Sequence, residues 1–351
     1  MIGEEPLDRY ETYDELYARR YGDRRAERRT KPKYATVSER KRDEILAEVT
    51  EGAEELELGF HPTYQPSRHE QGWLLSSLRG FYDQGLINDV LARVKGGKEA
   101  NVYLCTGPAE GGHGGPPLQE RGEGPPLLAA KVYRPRMFRN LRNDALYRQG
   151  REVMVVGGKA AGKQGCTIAR AIRNRTAFGM EAAHTSWLMH EFEALDRLYN
   201  AGAAVPRAWG GNENAILMDM IGDERVAAPT MRSVSLGRRE ARRLLAEVLR
   251  NVELMLQNDL IHADLSAYNI LYWHGRITLI DFPQVVHPST NPDARWILQR
   301  DLTRVCDYFA AQGAACNPAA LAEEMWLRNV GEWVGSEQQA ELLLATDEEL
   351  P

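Results

Sequence analysis

Apolar residues recur at helical spacing in several stretches of this chain. One such stretch is Trp187–Tyr199. Its apolar face consists of Leu188, Phe192, Leu195 and Leu198. Further helices are predicted over Arg238–Gln257 and near Ala294–Ala311, and Trp73–Val94 is interpreted as one or two amphipathic helices.

Shorter apolar runs bounded by turn residues predict strands. Leu127–Tyr133 is such a run, and residues 215–222 form another that breaks at a glycine. Residues 270–273 and 276–280 flank a His-Gly pair at 274–275, which predicts a β-hairpin.

Three polar side chains around this predicted hairpin are the candidate catalytic and metal-binding residues. Asp264 and Asn269 lie in a loop between apolar runs, and the hairpin carries Asp281 back beside Asn269. In protein kinases this spacing places a residue that accepts or orients the substrate hydroxyl proton, followed by two metal ligands at the phosphates of ATP. Such residues also arise by chance in an acidic chain, but the flanking apolar runs favour a phosphoryl-transfer site. We therefore predict that Asp264 orients the acceptor and that Asn269 and Asp281 bind metal.

A glycine pair upstream predicts a loop that covers the phosphates. Glycine lets backbone N–H groups approach phosphate oxygens, and a concave nest of amides suits an anion. The residues assigned to this loop and its exit are Gly96, Gly97, Lys98, Glu99, Ala100, Asn101 and Val102. The stretch lacks both the Gly-x-Gly-x-x-Gly pattern of ordinary kinases and a Walker A sequence, so a plain hairpin turn is the alternative.

Lys131 is a single charge inside an apolar predicted strand. A buried ammonium group is costly unless it is paired, so we expect Lys131 to bind the α and β phosphates while it pairs with a helix glutamate. Helical periodicity favours Glu191 as that partner. Glu193, which points to the other side of the same helix, is the rival.

Four motifs in this order resemble those of the RIO family of atypical serine/threonine protein kinases, most closely its first subfamily and the bacterial relatives of it. They are Gly-Lys-Glu-Ala-Asn-Val-Tyr at 97–103, Ala-Ala-Lys-Val-Tyr at 129–133, His-Ala-Asp-Leu-Ser-Ala-Tyr-Asn-Ile-Leu at 262–271 and Ile-Asp-Phe-Pro-Gln at 280–284. The likeness extends from about Leu86 to Gln312. Aminoglycoside and choline phosphotransferases share the His-x-Asp-x-x-x-x-Asn loop, but they are not expected to carry the first motif or the Asp-x-x-Gln ending.

The resemblance implies a two-lobed α+β protein-kinase-like fold with a trimmed C-lobe and a helical N-terminal extension, and it locates the adenine pocket. Met218 would be the gatekeeper, and the Asp219 carbonyl and the Ile221 N–H would meet adenine. The residues that would sandwich the base are Val102, Ala129, Leu271 and Ile280. The apolar residues alone would favour an ordinary core strand, and in a kinase fold both interpretations hold.

The chain departs from ordinary kinases in the way that RIO proteins do. Ala263 stands where regulated kinases place an arginine that reads a phosphorylated loop, Pro283 replaces the glycine of Asp-Phe-Gly, and no Ala-Pro-Glu follows. Control by loop phosphorylation is therefore not expected. The resemblance also implicates Asp281 as a phosphate acceptor during ATP turnover, and it assigns Arg300 and Asp301 to bracing the catalytic loop from beneath.

Composition narrows the class of protein. The 351 residues are 43 % hydrophobic, enough for sizeable cores, and the net charge of −6 gives no general attraction to nucleic acid or anionic membrane. No apolar run approaches the roughly 20 residues that span a bilayer. The cysteines, which are Cys105, Cys166, Cys306 and Cys316, show no metal-ligand spacing, and this predicts reduced thiols in a cytoplasmic protein.

Basic residues are concentrated in Arg19–Arg42, which either contacts RNA or a ribosomal particle or forms a solvated tail. The predicted divisions of the chain are a charged, partly disordered extension over 1–67, a helical lead-in and N-lobe over 68–218 with flexible insertions at 106–126 and 134–186, and a hinge and C-lobe over 219–351.

These features together predict an ATP-dependent serine/threonine protein kinase of RIO type that uses ATP with Mg²⁺ or Mn²⁺. Its protein acceptor is unknown, and no membrane partner is expected. Three rival functions stay open: an ATPase switch on ribosomal particles, a small-molecule phosphotransferase, and a scaffold that binds nucleotide without turnover. The intact site residues argue against the scaffold, and the missing peptide-docking segment gives mild support to the small-molecule kinase.

Overall fold

The computed structural model describes residues 60–97, 100–108, 126–133, 154–155, 159–160 and 177–331, which all lie in the compact unit Val49–Pro351. Its helices are Arg68–Asp83 (α1), Ala177–Asn200 (α2), Arg238–Gln257 (α3), Ala294–Ala311 (α4) and Pro318–Asn329 (α5). Its strands are Asp89–Gly96 (β1), Ala100–Thr106 (β2), Leu127–Tyr133 (β3), Met154–Val155 (β4), Lys159–Ala160 (β5), Ala208–Gly211 (β6), Ala215–Asp219 (β7), Ile270–Trp273 (β8) and Arg276–Leu279 (β9). In this described part of the chain, no helix has both the length and the apolar character needed to cross a membrane.

An antiparallel sheet in the order β1-β2-β3-β7-β6 forms the upper part of the fold. Successive side chains of a strand point to opposite faces, and β3 shows this alternation. Leu128, Ala130 and Val132 are buried together with the apolar residues of α1. Ala129 and Tyr133 belong instead to the core that contains the apolar residues of α2. The two faces of the sheet are therefore covered by different helices.

Helices α3, α4 and α5 and the β8–β9 hairpin form the lower part. The predicted helices over residues 238–257 and 294–311 are confirmed at those bounds. The predicted hairpin is also confirmed, because β8 and β9 pair from Ile270↔Leu279 to Trp273↔Arg276. Its turn residues His274 and Gly275 have φ values of 46° and 77°, as a two-residue turn of type I′ requires.

The interpretation of Trp73–Val94 as helical is wrong in its second half. Helix α1 ends at Asp83, Gly85 adopts the left-handed φ of 67°, and residues 89–96 form strand β1. Pairing decides this, since β1 lies alongside β2 in a register that includes Val90↔Cys105. A partner strand from elsewhere in the chain overrides local helical spacing.

The prediction of reduced thiols is wrong for Cys306 and Cys316, which form a disulfide with a Cα–Cα distance of 5.7 Å. Cys306 lies near the end of α4, and Gly313 with a φ of 84° turns the chain back toward it. This reversal brings the two Cα atoms within the range that a disulfide spans. Cys105 is a buried free thiol.

Several predictions concern residues outside the described part of the chain. They include Lys98 and Glu99 of the glycine loop, the basic segment Arg19–Arg42, and Cys166. The predictions made for these residues, and the division of the chain into domains, stay predictions.

Candidate active site

A cleft of about 750 Å³ lies between the sheet and the segment that follows α3, a size that suits a bound small molecule. The residues predicted to bind nucleotide or metal that line this cleft are Gly97, Ala100, Val102, Ala129, Lys131, Glu191, Met218, Asp219, Ile221, Asn269, Leu271, Ile280 and Asp281. The fold thus brings together side chains that are widely separated in sequence.

Gly97, which follows β1, leaves no room for a side chain. A Cβ atom on Gly97 would lie 2.7 Å from the Ala100 carbonyl oxygen, so a larger residue cannot take this position without a shift. Ala100 and Val102 line the cleft, since alternate residues of β2 share a face. Asn101 lies between them and points away from the cleft, where its Nδ2 donates to the Tyr103 hydroxyl at 3.0 Å. Gly96 does not line the cleft either.

Lys131 joins two acidic residues at the back of the cleft. Its Nζ lies 2.6 Å from Glu191 Oε1 and 2.6 Å from Asp281 Oδ1. Desolvation lowers the pKa of Lys131, but the charges of Asp281 and Glu191 outweigh this and raise the pKa well above its ordinary value. Desolvation likewise raises the pKa of Asp281, and Lys131 outweighs it, so that the pKa of Asp281 is lowered. Both groups are therefore charged at neutral pH.

The helix glutamate that pairs with Lys131 is Glu191, which is almost fully buried, whereas its rival Glu193 is exposed. Glu191 Oε2 also accepts a hydrogen bond from the Tyr133 hydroxyl. Tyr133 follows Lys131 by two residues on β3 and therefore shares its face of the sheet. This second contact of Glu191 had no signal in the sequence beyond that alternation.

Asp264 and Asn269 meet within the loop that precedes β8. Asn269 Nδ2 donates to the Asp264 carbonyl oxygen at 2.8 Å and to Asp264 Oδ2 at 3.0 Å. The Asn269 carbonyl in turn accepts from the Ile280 N–H at 3.0 Å, which holds Asn269 beside the residue before Asp281. Desolvation raises the pKa of Asp264, and the nearby Arg304 and His262 only partly offset it.

Besides His274 in the hairpin turn, two residues of this segment adopt left-handed backbone conformations that side chains rarely take. They are Ala263, with a φ of 66°, and Asp281, with a φ of 72°. Such conformations cost of order 1–3 kcal/mol each and concentrate at functional sites, because the surrounding structure must enforce them. Asp281 itself lines the cleft, whereas Asp264, the residue after Ala263, does not line it and reaches it only through its contact with Asn269.

His262 is fully buried beneath the loop and connects its two ends. Its Nε2 donates to the Ile280 carbonyl at 3.1 Å, and its Nδ1 accepts from the Asp264 N–H at 3.3 Å. Its ring stacks against Phe282 with the centroids 4.6 Å apart. His262 thus ties the backbone of Asp264 to the backbone before Asp281.

Two arginines of α4 support the loop from below. Arg300 donates to the Ala263 carbonyl and pairs with Asp301 at 3.0 Å, in the bracing position that the sequence predicted for this pair. Arg304, which sequence reasoning missed, lies 3.2 Å from Asp264 Oδ1 and 3.9 Å from Asp301 Oδ1. Its only signal was the spacing of one helical turn after Arg300.

Residues predicted for the adenine pocket line the cleft. Met218, on β7, is 9 % exposed, and its pairing partner Ala129 lies beside it on β3. Asp219 uses its carboxylate for a structural contact, since Oδ1 accepts from the Trp209 indole at 2.7 Å. The strand ends at Asp219, three residues before Gly222, where the sequence had predicted its end; Gly222 itself has a φ of 138°.

The donor set of the cleft fits a magnesium site of the kinase type. No group of three or more His, Cys, Asp or Glu residues suited to a metal occurs in the described residues. Magnesium in such sites is bound by one or two protein oxygens together with substrate phosphates. The Asn269 amide directs its nitrogen to Asp264, which leaves its oxygen for a cation, and Asp281 offers a carboxylate on the same cleft.

The chain is similar to known proteins over this region. A family model described as RIO domain matches residues 166–321. Among curated proteins, the RIO-type serine/threonine-protein kinase Rio1 of Thermoplasma acidophilum is 30 % identical over 137 residues, which are 39 % of this chain and 70 % of that protein. Rio1 of Haloferax volcanii is 32 % identical over 39 % of this chain and 47 % of its own length.

Human serine/threonine-protein kinase RIO1 is 32 % identical over 131 residues, which are 37 % of this chain and 23 % of the human protein. The chain therefore spans most of the shortest of these relatives and less than half of the longer two. The similarity agrees with the resemblance read from the motifs and confirms the predicted α+β, kinase-like fold.

Proposed function

The chain belongs to the RIO family of serine/threonine protein kinases, and from this premise we propose that it transfers the γ-phosphoryl group of ATP to a hydroxyl group of a protein acceptor. One observation carries the proposal. Lys131 Nζ is 2.6 Å from both Glu191 and Asp281, which come from a helix and from the segment after a hairpin. This is the arrangement that protein kinases use to bind phosphates and metal.

Each residue has a role in the proposed reaction. Lys131 orients the α and β phosphates, while the loop at Gly97 covers them with backbone N–H groups. Asn269 and Asp281 would hold Mg²⁺ or Mn²⁺, which neutralises charge on the phosphate oxygens when bound. Asp264 orients the acceptor hydroxyl and takes its proton as the oxygen attacks the γ phosphorus, with ADP as the leaving group.

The test compares two glutamates of the same helix. The purified chain is incubated with γ-labelled ATP, Mg²⁺ or Mn²⁺ and cell extract, and label in protein is measured. Glu191→Ala is expected to lose most of the transfer, because Lys131 loses a partner, whereas Glu193→Ala keeps it. Equal transfer by the two variants would contradict the assignment of the site.

ATP turnover without a protein acceptor is a second candidate, favoured by the short segment after the site. Residues 282–293 lead from Asp281 directly to α4, and Val286 and Ile261 exchange two backbone hydrogen bonds of 2.9 Å. This stretch therefore holds no activation segment on which a peptide could dock. Free phosphate released without labelled protein would identify an ATPase, and label in a small molecule would identify a small-molecule kinase.

Nucleotide binding without any turnover would restore the scaffold function. The contact of Arg19–Arg42 with RNA or a ribosomal particle is a separate proposal that rests on basic charge alone. Salt-dependent binding of ribosomal particles that is lost on removal of residues 1–42 would support it, and binding that survives the removal would exclude it.

A further inference from the structure

A buried glutamate on α1 reaches the strand that leaves the glycine loop. Glu70 lies in the first turn of α1 and is 6 % exposed. A carboxylate with so little access to water is costly unless hydrogen bonds satisfy its oxygens. Its partners therefore indicate what the side chain is for.

Both oxygens of Glu70 have partners. Oε1 accepts from the Tyr103 hydroxyl and from Asn101 Nδ2, the second at 3.4 Å. Oε2 accepts from the Tyr64 hydroxyl at 3.3 Å and lies 3.5 Å from Arg93 Nη1. Two of these four partners, Asn101 and Tyr103, belong to β2, which follows the glycine loop directly.

Asn101 contacts both Glu70 and the glycine that follows β1. With its amide nitrogen bound to Glu70 and Tyr103, its Oδ1 accepts a hydrogen bond from the Gly97 N–H at 3.4 Å. Gly96 and Asn101 are also paired across β1 and β2 at the base of the loop. The orientation of one buried amide therefore links Glu70 to the backbone of Gly97.

The hydrogen bonds of this network favour the orientation in which the Asn101 amide oxygen faces Gly97. An amide can face Gly97 with either its oxygen or its nitrogen, and only the oxygen can accept from the N–H. Acceptors on the Glu70 side draw the amide nitrogen toward them, and this leaves the oxygen to Gly97. Tyr103 is fully buried, and its pKa is raised by burial and by Glu70, so its hydroxyl stays a neutral donor.

We propose that Glu70 is a positioning residue for the phosphate loop, and that it sets the conformation of Gly97 through Asn101 so that the loop fits the phosphates of a nucleotide. This inference rests on the proposed function of the cleft as an ATP site. It makes phosphate binding depend on a helix that lies outside the cleft. The predicted adenine pocket depends less on this link, because Val102 is the only residue assigned to it that lies on β2.

The test separates the phosphate contacts of a nucleotide from its adenosine contacts. The affinities of ATP, ADP and adenosine are measured by calorimetry on the full chain. In Glu70→Ala, the affinities of ATP and ADP are expected to fall roughly tenfold, while that of adenosine stays within about twofold. Glu70→Gln keeps an oxygen that can accept from Asn101 and Tyr103, and it is expected to restore most of the ATP affinity.

Leu78→Ala is the matched control, because Leu78 lies on the same helix, is fully buried and does not take part in the network. This variant lowers the melting temperature through lost packing but is expected to leave the ratio of ATP to adenosine affinity unchanged. If Glu70→Ala fails to fold, Asn101→Ala tests the same link and is expected to show the same selective loss.

Three results would overturn the proposal. An unchanged ratio of ATP to adenosine affinity in Glu70→Ala or Asn101→Ala would do so while leaving the proposed function intact. A change of equal size in Leu78→Ala would reduce the effect to general loosening of the sheet. Absence of ATP binding by the unaltered chain would overturn the proposed function together with this inference.

Discussion

The roof of the cleft, formed by β1, β2 and β3 with α1 packed on their far side, is held together differently from its floor, formed by residues 261–281. In the floor, backbone hydrogen bonds between close neighbours position the site, as where the Ile280 N–H binds the Asn269 carbonyl at 3.0 Å. In the roof, side chains distant in sequence make the contacts, as where Glu70 meets Asn101. The geometry of the floor therefore follows from one contiguous motif, and that of the roof depends on which elements pack together.

The largest expected effect comes from removing the carboxylates of the floor. Asp264→Ala should lower phosphoryl transfer by about 10²–10⁴-fold and leave ATP bound, because it removes the group that orients the acceptor. Asp281→Ala should also weaken binding of the metal-nucleotide complex. Label transfer and nucleotide affinity measure the two effects, and full activity in both variants is incompatible with the site.

The phosphate-acceptor role of Asp281 gives the same pair of variants a second use. An acyl phosphate on Asp281 would appear as hydroxylamine-sensitive label from γ-labelled ATP. The label should persist in Asp264→Ala and vanish in Asp281→Ala. Label that survives in Asp281→Ala would assign the acceptor to another residue.

The disulfide tests whether α4, the helix that supports the floor, can be loosened without loosening the roof. Opening the bridge between Cys306 and Cys316, which are 10 residues apart, should lower the free energy of unfolding by about 2–3 kcal/mol, because the unfolded chain gains freedom. Hydrogen exchange should quicken in α4 and α5 and stay unchanged in β1–β3. A Cys316→Ser variant should respond no further to reductant, whereas equal sensitivity of that variant would argue against the bridge.

Arg304 tests whether the floor needs side-chain support in addition to its backbone. Arg304→Gln removes the ion pair to Asp264 and should lower kcat roughly tenfold with little change in the KM for ATP, since a misplaced carboxylate affects the chemical step. Arg304→Lys keeps the charge and should restore part of kcat. A change in KM alone, or no rescue by lysine, would assign Arg304 a purely structural role.

Cys105 provides an effect that is confined to the roof and that stays small up to pH 10. Burial raises the pKa of its thiol to about 12 from an ordinary value near 9, so the folded state favours the neutral form. The associated stability is present below pH 9 and is lost as pH rises from 9 toward 12, by about 1.4 kcal/mol per pH unit. Urea unfolding at pH 8 and pH 10 measures the slope, which should flatten in Cys105→Ala. An identical slope in the variant would contradict this.

The floor was predictable to the residue in several places. The turn residues His274 and Gly275 correctly predicted the β8–β9 hairpin. This hairpin brings Asp281 back beside Asn269. Short-range patterns suffice here because the hydrogen-bond partners are close in sequence. The contact of Lys131 with Glu191 was also predicted, since helical periodicity separated Glu191 from Glu193.

The roof and the supports of the site were predictable only in part. The helical spacing of residues 89–94 gave the wrong element, because pairing with β2 outweighed it. Spacing gave only a weak signal for Tyr133 and Arg304 and none for Glu70, because their partners lie on other elements. The disulfide between Cys306 and Cys316 was not predicted either, because it forms only after the chain reverses direction beyond α4.

From its amino-acid order alone, this chain specifies the type of site, its principal acidic and basic residues, and the hairpin that joins two of them. Only the packed molecule decides which face each strand presents, which side chains brace the carboxylates, and that Asn101 turns from the cleft toward Glu70. The physical reason is distance along the chain. Local patterns encode contacts between neighbours, whereas contacts between remote residues exist only after burial has chosen which surfaces meet.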